Sequence, residues 1–229
     1  MVVRLIVISL FLCACASGPG GMPPDHHLLY QQDFEGEDAP KFWFSADAEW
    51  KIGGQESRSL ELLGGKAYKP PVRSPRNIAL IAGHKFGDFV LEANLRQTGR
   101  EYGHRDLCLF FGYQDPSHFY YVHIATKADP HAHNIFVVDG KPRVAIASRT
   151  TAGIDWGEDQ WHHVRLERAL ADGRIRVIFD GQPLMEADSK RFRAGMIGFG
   201  SFDDQGEFDE IKVWGPASMP VKADPFSGK

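Results

Sequence analysis

From Phe89 to Arg96 the side chains alternate: Phe89, Leu91, Ala93 and Leu95 fall on one side of an extended chain, Val90, Glu92, Asn94 and Arg96 on the other. That period belongs to a β-strand with one face against a core and the other toward water. The pattern recurs along the chain, and no stretch keeps the three-and-four spacing of an amphipathic helix. It predicts strands near 29–34, 49–52, 59–63, 78–82, 88–96, 107–113 and 119–126. Further strands are predicted near 134–138, 143–148, 162–168, 174–179, 183–187, 196–202 and 208–214. Three Asp-Gly pairs, Asp139-Gly140, Asp172-Gly173 and Asp180-Gly181, stand between such runs. In each the glycine accepts the positive φ of a tight hairpin turn. Strands joined in this way are antiparallel neighbours, which leaves no room for the crossover helices of a parallel sheet. No segment repeats with a period of about 20 to 50 residues, which disfavours propellers and solenoids. The expected fold class is all-β, an antiparallel sandwich of two sheets.

The two ends read differently. Met1 to Leu12 holds one basic residue, Arg4, and the apolar run Leu5 to Leu12, followed by small residues up to Ser17. This is the outline of a secretory signal, far short of the about 20 apolar residues that a membrane helix needs. Leu12-Cys13-Ala14-Cys15 also resembles the bacterial lipobox, whose last cysteine receives the lipid and becomes the mature N-terminus. On that reading residues 1–14 are a lipoprotein signal peptide, Cys15 is the lipidation site, and the membrane is met through the anchor alone. The alternative is ordinary cleavage near Ala16 or Ser17. Ala16 is not the aspartate that marks inner-membrane retention, which favours the outer membrane in a host that has one. Residues 15–27, rich in Gly and Pro, read as a flexible tether and 216–229 as a disordered tail, bracketing one domain over 28–215. Cys108 is then the one cysteine left in the domain, so no internal disulfide forms and the fold rests on core burial.

With 26 basic and 30 acidic residues interspersed, the formal net charge of −4 supplies no broad field for nucleic acid or another polyanion.

The segment Trp161-His162-His163-Val164-Arg165-Leu166-Glu167-Arg168, followed by the run from Asp172-Gly173 to Asp180-Gly181, resembles a hallmark of laminin-G and concanavalin A-like domains. There a tryptophan opens a strand and the next strand ends at an Asp-Gly or Asn-Gly hairpin. Gly195 to Ser201 and Phe208 to Trp214 look like the last two strands of that fold, and the match covers roughly residues 86 to 215. Asp33-Phe34-Glu35 fits the opening strand that pairs with the closing one. The resemblance implies a jelly-roll sandwich with the Trp161 ring buried at its edge, and an oligo- or polysaccharide as partner. The layout is also similar to the 3-keto-disaccharide hydrolase family. Asp106-Leu107-Cys108-Leu109-Phe110-Phe111-Gly112 stands where that family usually shows an Asn-Ser-Gly-Ile-Phe-like strand.

Polar chemistry concentrates between residues 104 and 134, where five of the ten histidines fall: His104, His118, His123, His131 and His133. If Tyr120, Val122 and Ile124 face the core, Tyr121 and His123 look outward onto the sheet. Sugar recognition needs an aromatic plate together with planar polar groups that grip adjacent hydroxyls. Asp106, Tyr121, His123, His133 and Asn134 supply both kinds and form the predicted ligand site. A tetrahedral zinc set of His131, His133, His123 and Asp106 is the metal alternative. No cofactor is required, although a structural calcium would suit Asp33, Glu35 and Asp209. Glu207-Phe208-Asp209-Glu210-Ile211-Lys212 falls short of the laminarinase-type Glu-x-Asp-x-x-Glu signature because lysine takes the third acidic place. A binding module therefore leads. The alternatives are a glycan-active hydrolase using Asp106, Glu92 or a histidine as acid or base, and a structural envelope protein. Nucleophile-elbow, P-loop and dinucleotide motifs are absent from the sequence.

Overall fold

The computed structural model describes residues 21–37, 40–54 and 57–227. The leader at 1–14, Cys15, the first part of the tether and residues 228–229 lie outside the described residues. The strands are β1 (His27–Gln32), β2 (Phe42–Phe44), β3 (Trp50–Gly53), β4 (Ser59–Leu62), β5 (Asn77–Ile81), β6 (His84–Phe86), β7 (Phe89–Gln97), β8 (Asp106–Asp115) and β9 (His118–Ala125). They continue as β10 (Asn134–Asp139), β11 (Val144–Ala145), β12 (Arg149–Thr150), β13 (Trp161–Arg168), β14 (Arg174–Phe179), β15 (Gln182–Asp188), β16 (Met196–Ser201), β17 (Gly206–Gly215) and β18 (Ser218–Pro220). A single 3-10 turn, Asp47–Glu49, precedes β3.

Two sheets form the layers. The first has nine strands in the order β12-β15-β14-β13-β7-β17-β4-β3, with β1 also pairing β17. The second has seven, in the order β11-β10-β9-β8-β16-β5-β2, and β18 pairs with β6 in a small ribbon. Neighbours are antiparallel in both layers, as the hairpin turns predict. At Asp180-Gly181 both residues take positive φ, 48° and 75°, the backbone of a tight type I′ hairpin between β14 and β15. The opening strand does lie along the closing one, from His27 opposite Gly215 to Gln32 opposite Ile211, but it ends before Asp33-Phe34-Glu35, where Phe34 takes a positive φ of 59°.

The core sits between the layers. Phe89, Leu91, Ala93 and Leu95 of β7, with Val164, Leu166, Ile175 and Val177, meet Leu107, Leu109, Phe111, Tyr120, Val122 and Ile124 of the facing sheet. Each such side chain taken fully from water contributes about 1.5–3 kcal/mol. The first sheet shows the alternation of a half-solvated layer, but the second is buried on both faces. Its far side carries Ile78, Leu80, Phe110, Tyr113, Phe119, Tyr121, Phe136 and Val138 in a second apolar cluster. Tyr68, Val72, Phe202 and Val221 pack over that cluster, and Phe226 is buried within it. Tyr113 stacks on Phe119 at 4.8 Å between centroids and Tyr121 on Phe136 at 5.1 Å.

Three expectations are corrected. The segment 216–227 is not a loose tail: Ser218–Pro220 adds a strand to β6, and Phe226 is 3% exposed against Tyr113 and Tyr68. A single apolar residue among polar ones gives no period, so its docking is invisible to pattern. Trp161 opens β13 as expected but turns outward, 39% exposed, with the Arg96 guanidinium 4.7 Å from its ring centroid. The buried ring near that edge belongs to Trp156, 1% exposed. The strand expected over 143–148 shrinks to Val144–Ala145. Phe226→Ala should therefore lower stability by about 3 kcal/mol in urea unfolding, the cost of emptying a core aromatic site, with an unchanged m-value. A shift below about 0.5 kcal/mol would show that the tail does not hold the second sheet.

Candidate ligand site

The strand β8 begins at Asp106 because the residue before it is tied down. The Arg105 guanidinium is buried, donating to Gln97 Oε1 and the Gln97 carbonyl, each at 2.8 Å, and to the Gly157 carbonyl at 3.0 Å. The Trp156 indole N–H closes on the Arg105 carbonyl at 3.2 Å. Asp106 and Cys108 then point to the far side of the second sheet, and the pairing of β8 with β9 sets His123 opposite Cys108.

Hydrogen-bond polarity fixes the His123 tautomer. Its Nδ1 accepts the His133 backbone N–H at 3.1 Å, so the ring proton sits on Nε2 and is donated to Asp106 Oδ2 at 3.1 Å. The Cys108 thiol donates to the same oxygen at 3.3 Å. Asp204 Oδ2 accepts the Asp106 backbone N–H at 2.8 Å, and the Tyr102 hydroxyl donates to the Asp204 carboxyl at 2.9 Å. Burial works to raise the Asp106 pKa, but His123 and then the thiol and Asp204 contacts bring it below the ordinary aspartate value. Asp204 goes the other way, up to about 7, through burial and repulsion from Asp106. Cys108 is raised well above a normal thiol by burial and by Asp106, so it stays protonated.

Asp106 and His123 form the floor of a cavity of about 420 Å³. Phe202 and Tyr102 contribute its aromatic surfaces, and His104, His131 and Asp203 stand along it. Four arginines also line it: Arg73, Arg76, Arg100 and Arg143. The Arg143 guanidinium lies 4.2 Å from the Phe202 ring centroid and 5.0 Å from that of Phe136. It donates to the Tyr121 hydroxyl at 3.1 Å and to the His131 carbonyl at 2.7 Å.

The predicted ligand residues divide accordingly. Asp106 and His123 reach the cavity, whereas Tyr121 and His133 are each 0% exposed. Tyr121 does face away from the core between the layers, as its parity requires, but Phe202, Phe136 and Arg143 cover it. His133 turns inward: its Nδ1 accepts the Ala125 N–H at 3.2 Å and its Nε2 donates to Thr151 Oγ1 at 2.9 Å. Burial, then His123, lowers its pKa to about 4. Asn134 braces the chain by accepting the Ala147 N–H at 3.1 Å and does not line the cavity. Arg73, Arg76 and Phe202 lie in sequence far from the histidine cluster, whereas Arg100 and Arg143 flank it. Two basic residues within Pro71-Val72-Arg73-Ser74-Pro75-Arg76 are the one local signal that marks this wall.

The zinc set expected from the histidines does not assemble. Among the described residues, the metal-type donors that gather within 4.8 Å are those of Asp106, Cys108 and His123, without His131 or His133. His123 also turns an N–H, not a lone pair, toward Asp106. Nor do Asp33, Glu35 and Asp209 form such a group. Glu35 accepts from Ser57 and Arg58, Asp33 from the Glu35 N–H, and Asp209 from the Glu210 N–H. Burial, with repulsion from Glu210, Glu35 and Asp33, raises Asp209 to about 6 against that last hydrogen bond. Glu92 is remote from Asp106: it stands on β7 of the other sheet, paired with Arg165 at 2.7 Å. Glu207 and Glu210 of the partial glucanase string are held by Arg96 at 2.7 Å and Lys212 at 2.8 Å.

The Asp204 carboxyl gives a test of this network. Folded, it keeps its proton up to about pH 7, whereas an unfolded aspartate releases it near pH 4. Between those values the folded state binds more protons, so Asp204 makes stability fall as pH rises. Asp204→Asn should remove that contribution, so the loss of stability between about pH 5 and pH 8 shrinks relative to the unmodified chain in urea titrations. An equal loss in both proteins would place the Asp204 pKa near its ordinary value.

No protein-family model matches the chain, and no curated protein matches it in sequence. Solved structures do match its shape. The carbohydrate-binding module CBM66 from Bacillus subtilis is 15% identical, with a TM-score of 0.55 over 75% of this chain and 94% of its own. Winged bean acidic lectin, solved with methyl-α-D-galactose, is 11% identical, with a TM-score of 0.56 over 86% of this chain and 100% of its own. SCLam, a non-specific endo-β-1,3(4)-glucanase from family GH16, is 15% identical, with a TM-score of 0.52 over 87% of this chain and 95% of its own. At such identities the likeness concerns architecture, and the protein has the concanavalin A-like jelly-roll fold.

Proposed function

We propose that this protein is a carbohydrate-binding module that takes the end of a glycan into the cavity above Asp106 and His123. One observation carries the reading: aromatic rings, Tyr102 and the part of Phe202 not covered by Arg143, and a buried carboxylate held by its own donors, Asp106, share one small polar cavity. A hydroxylated ring needs both, an apolar plate for its face and a fixed acceptor for its hydroxyls. A space of about 420 Å³ suits on the order of one or two sugar rings, not a long chain lying flat. His123 has both ring nitrogens engaged, so its role is to hold Asp106 in place. The shared fold with a carbohydrate-binding module, a lectin and a glucanase supports the same ligand class, although fold alone assigns no activity. Hydrolysis would call for a second carboxyl against the same sugar. The second carboxyl along the cavity, Asp203, is engaged by Lys66 at 3.2 Å, and Asp204 does not line it, which favours binding over turnover.

On this proposal Cys15 carries the lipid, and several acyl chains, each contributing about 0.8 kcal/mol per buried CH₂, hold the module on the envelope. Glycan-array screening followed by calorimetry should find an oligosaccharide ligand. Phe202→Ala and Asp106→Asn are each expected to weaken it by at least about tenfold, roughly 1.4 kcal/mol, with circular dichroism unchanged. Binding that survives both substitutions moves the site elsewhere on the molecule, and failure of every glycan on the array ends the proposal. Cys15→Ser should shift the protein from the membrane to the soluble fraction on cell fractionation. Continued sedimentation with membranes would rule out the lipid anchor.

A further inference from the structure

We infer that the glycan taken by this cavity is acidic, with a carboxylate or sulfate on the sugar that enters it. The inference rests on the cavity being the glycan site and names the chemistry of its occupant. Elsewhere on the molecule five arginines pair with carboxylates, while Arg58, Arg105 and Arg168 spend their N–H groups on backbone carbonyls. Arg96 pairs with Glu207, Arg165 with Glu92 and Glu167, Arg174 with Asp172, Arg176 with Glu167 and Glu186, and Arg191 with Asp139. Around the cavity four arginines converge on one opening. Among the described residues no carboxylate oxygen lies within 4.0 Å of Arg73, Arg100 or Arg143. Arg76 approaches Asp203 only at 4.0 Å, and Lys66 holds that carboxylate more closely at 3.2 Å. A chain with a net charge of −4 thus sets four guanidinium groups, three of them without a carboxylate partner among the described residues, around one opening.

Arg143 is the best-fixed of the four. Aromatic rings hold its guanidinium, at 4.2 Å from Phe202 and 5.0 Å from Phe136, and each terminal nitrogen spends one N–H on a protein oxygen. Each terminal nitrogen therefore keeps a second N–H, and a planar fork already stacked in place loses little freedom when it takes an anion. Two carboxylates, Asp106 and Asp203, stand in the cavity against four guanidinium groups. Asp106 already accepts from His123 and Cys108, so it is suited to ring hydroxyls while the arginines take the acid group. A bare inorganic anion would leave Phe202 and Asp106 without a use, which favours a sugar acid.

The experiment is calorimetry on the full chain with three probes: an oligogalacturonide, a sulfated chondroitin disaccharide and a neutral galacto-oligosaccharide. One of the two acidic probes, which distinguishes carboxylate from sulfate, should bind at least about tenfold more tightly than the neutral one, and that advantage should fall as salt screens it. The exposed pair Arg73→Gln, Arg100→Gln should bring the acidic probe toward the neutral level without changing the urea midpoint. Arg174→Gln, at a matched arginine, should leave binding as it was. Equal affinity for neutral and acidic probes, or sodium sulfate competing as strongly as the sugar acid, would overturn the inference. The binding-module reading would survive the first of these results and fall only if no probe or array glycan bound at all.

Discussion

The second sheet is covered on both of its faces, and most of the rest follows from that constraint. A sheet packed on one side alone could offer its other side to a ligand along its whole width. Here a layer of aromatic rings and the segments carrying Tyr68, Val72 and Phe226 occupy that width. Backbone amides in such a layer have no access to water, so every polar side chain that enters it must be matched. Asp106, His123, Cys108 and His133 are so matched, each by named donors and acceptors within about one hydrogen-bond length. On this face ligand space opens where the cover ends, beside Phe202 and the arginines.

This explains what pattern can and cannot reveal in such a chain. Alternation on β7 is clean because one face meets the core and the other meets charged neighbours, so its strand and buried face were both legible. The Asp-Gly turns were legible for a backbone reason that owes nothing to packing. On β8 and β9 the strands were legible, but not the fate of the outer face. The near-continuous apolar run from Leu107 to Phe111 is itself the mark of a strand buried on both sides. Read that way, Tyr121 becomes a core residue instead of a sugar plate. The arginine wall escaped because it is assembled from three segments separated in sequence, those of Arg73 and Arg76, of Arg100 and of Arg143, and such convergence has no period.

The Asp106 and Asp204 carboxyls illustrate how one environment separates two like groups. Both are buried and linked through the Asp106 backbone N–H. His123 and Cys108 donate to one and hold its charge, while the other, with a phenol and an amide for company, is left the more easily protonated. Such pairs recur at sites of acid–base chemistry, but pairing alone does not make a catalyst. Here its effect is to keep a charged acceptor rigid at the base of an opening.

The course of β17 has a geometric consequence. At Gly206 the strand lies against Leu107 beside the Asp106 network, and at Gly215 it pairs with His27, where the N-terminal segment joins the sandwich. A strand of that length spans roughly 30 Å. The first residues of β1 and the Asp106 network therefore sit at opposite ends of β17. Any support attached through the N-terminal segment would hold the molecule like a lamp on a post, with its receptive end turned away from the surface that carries it.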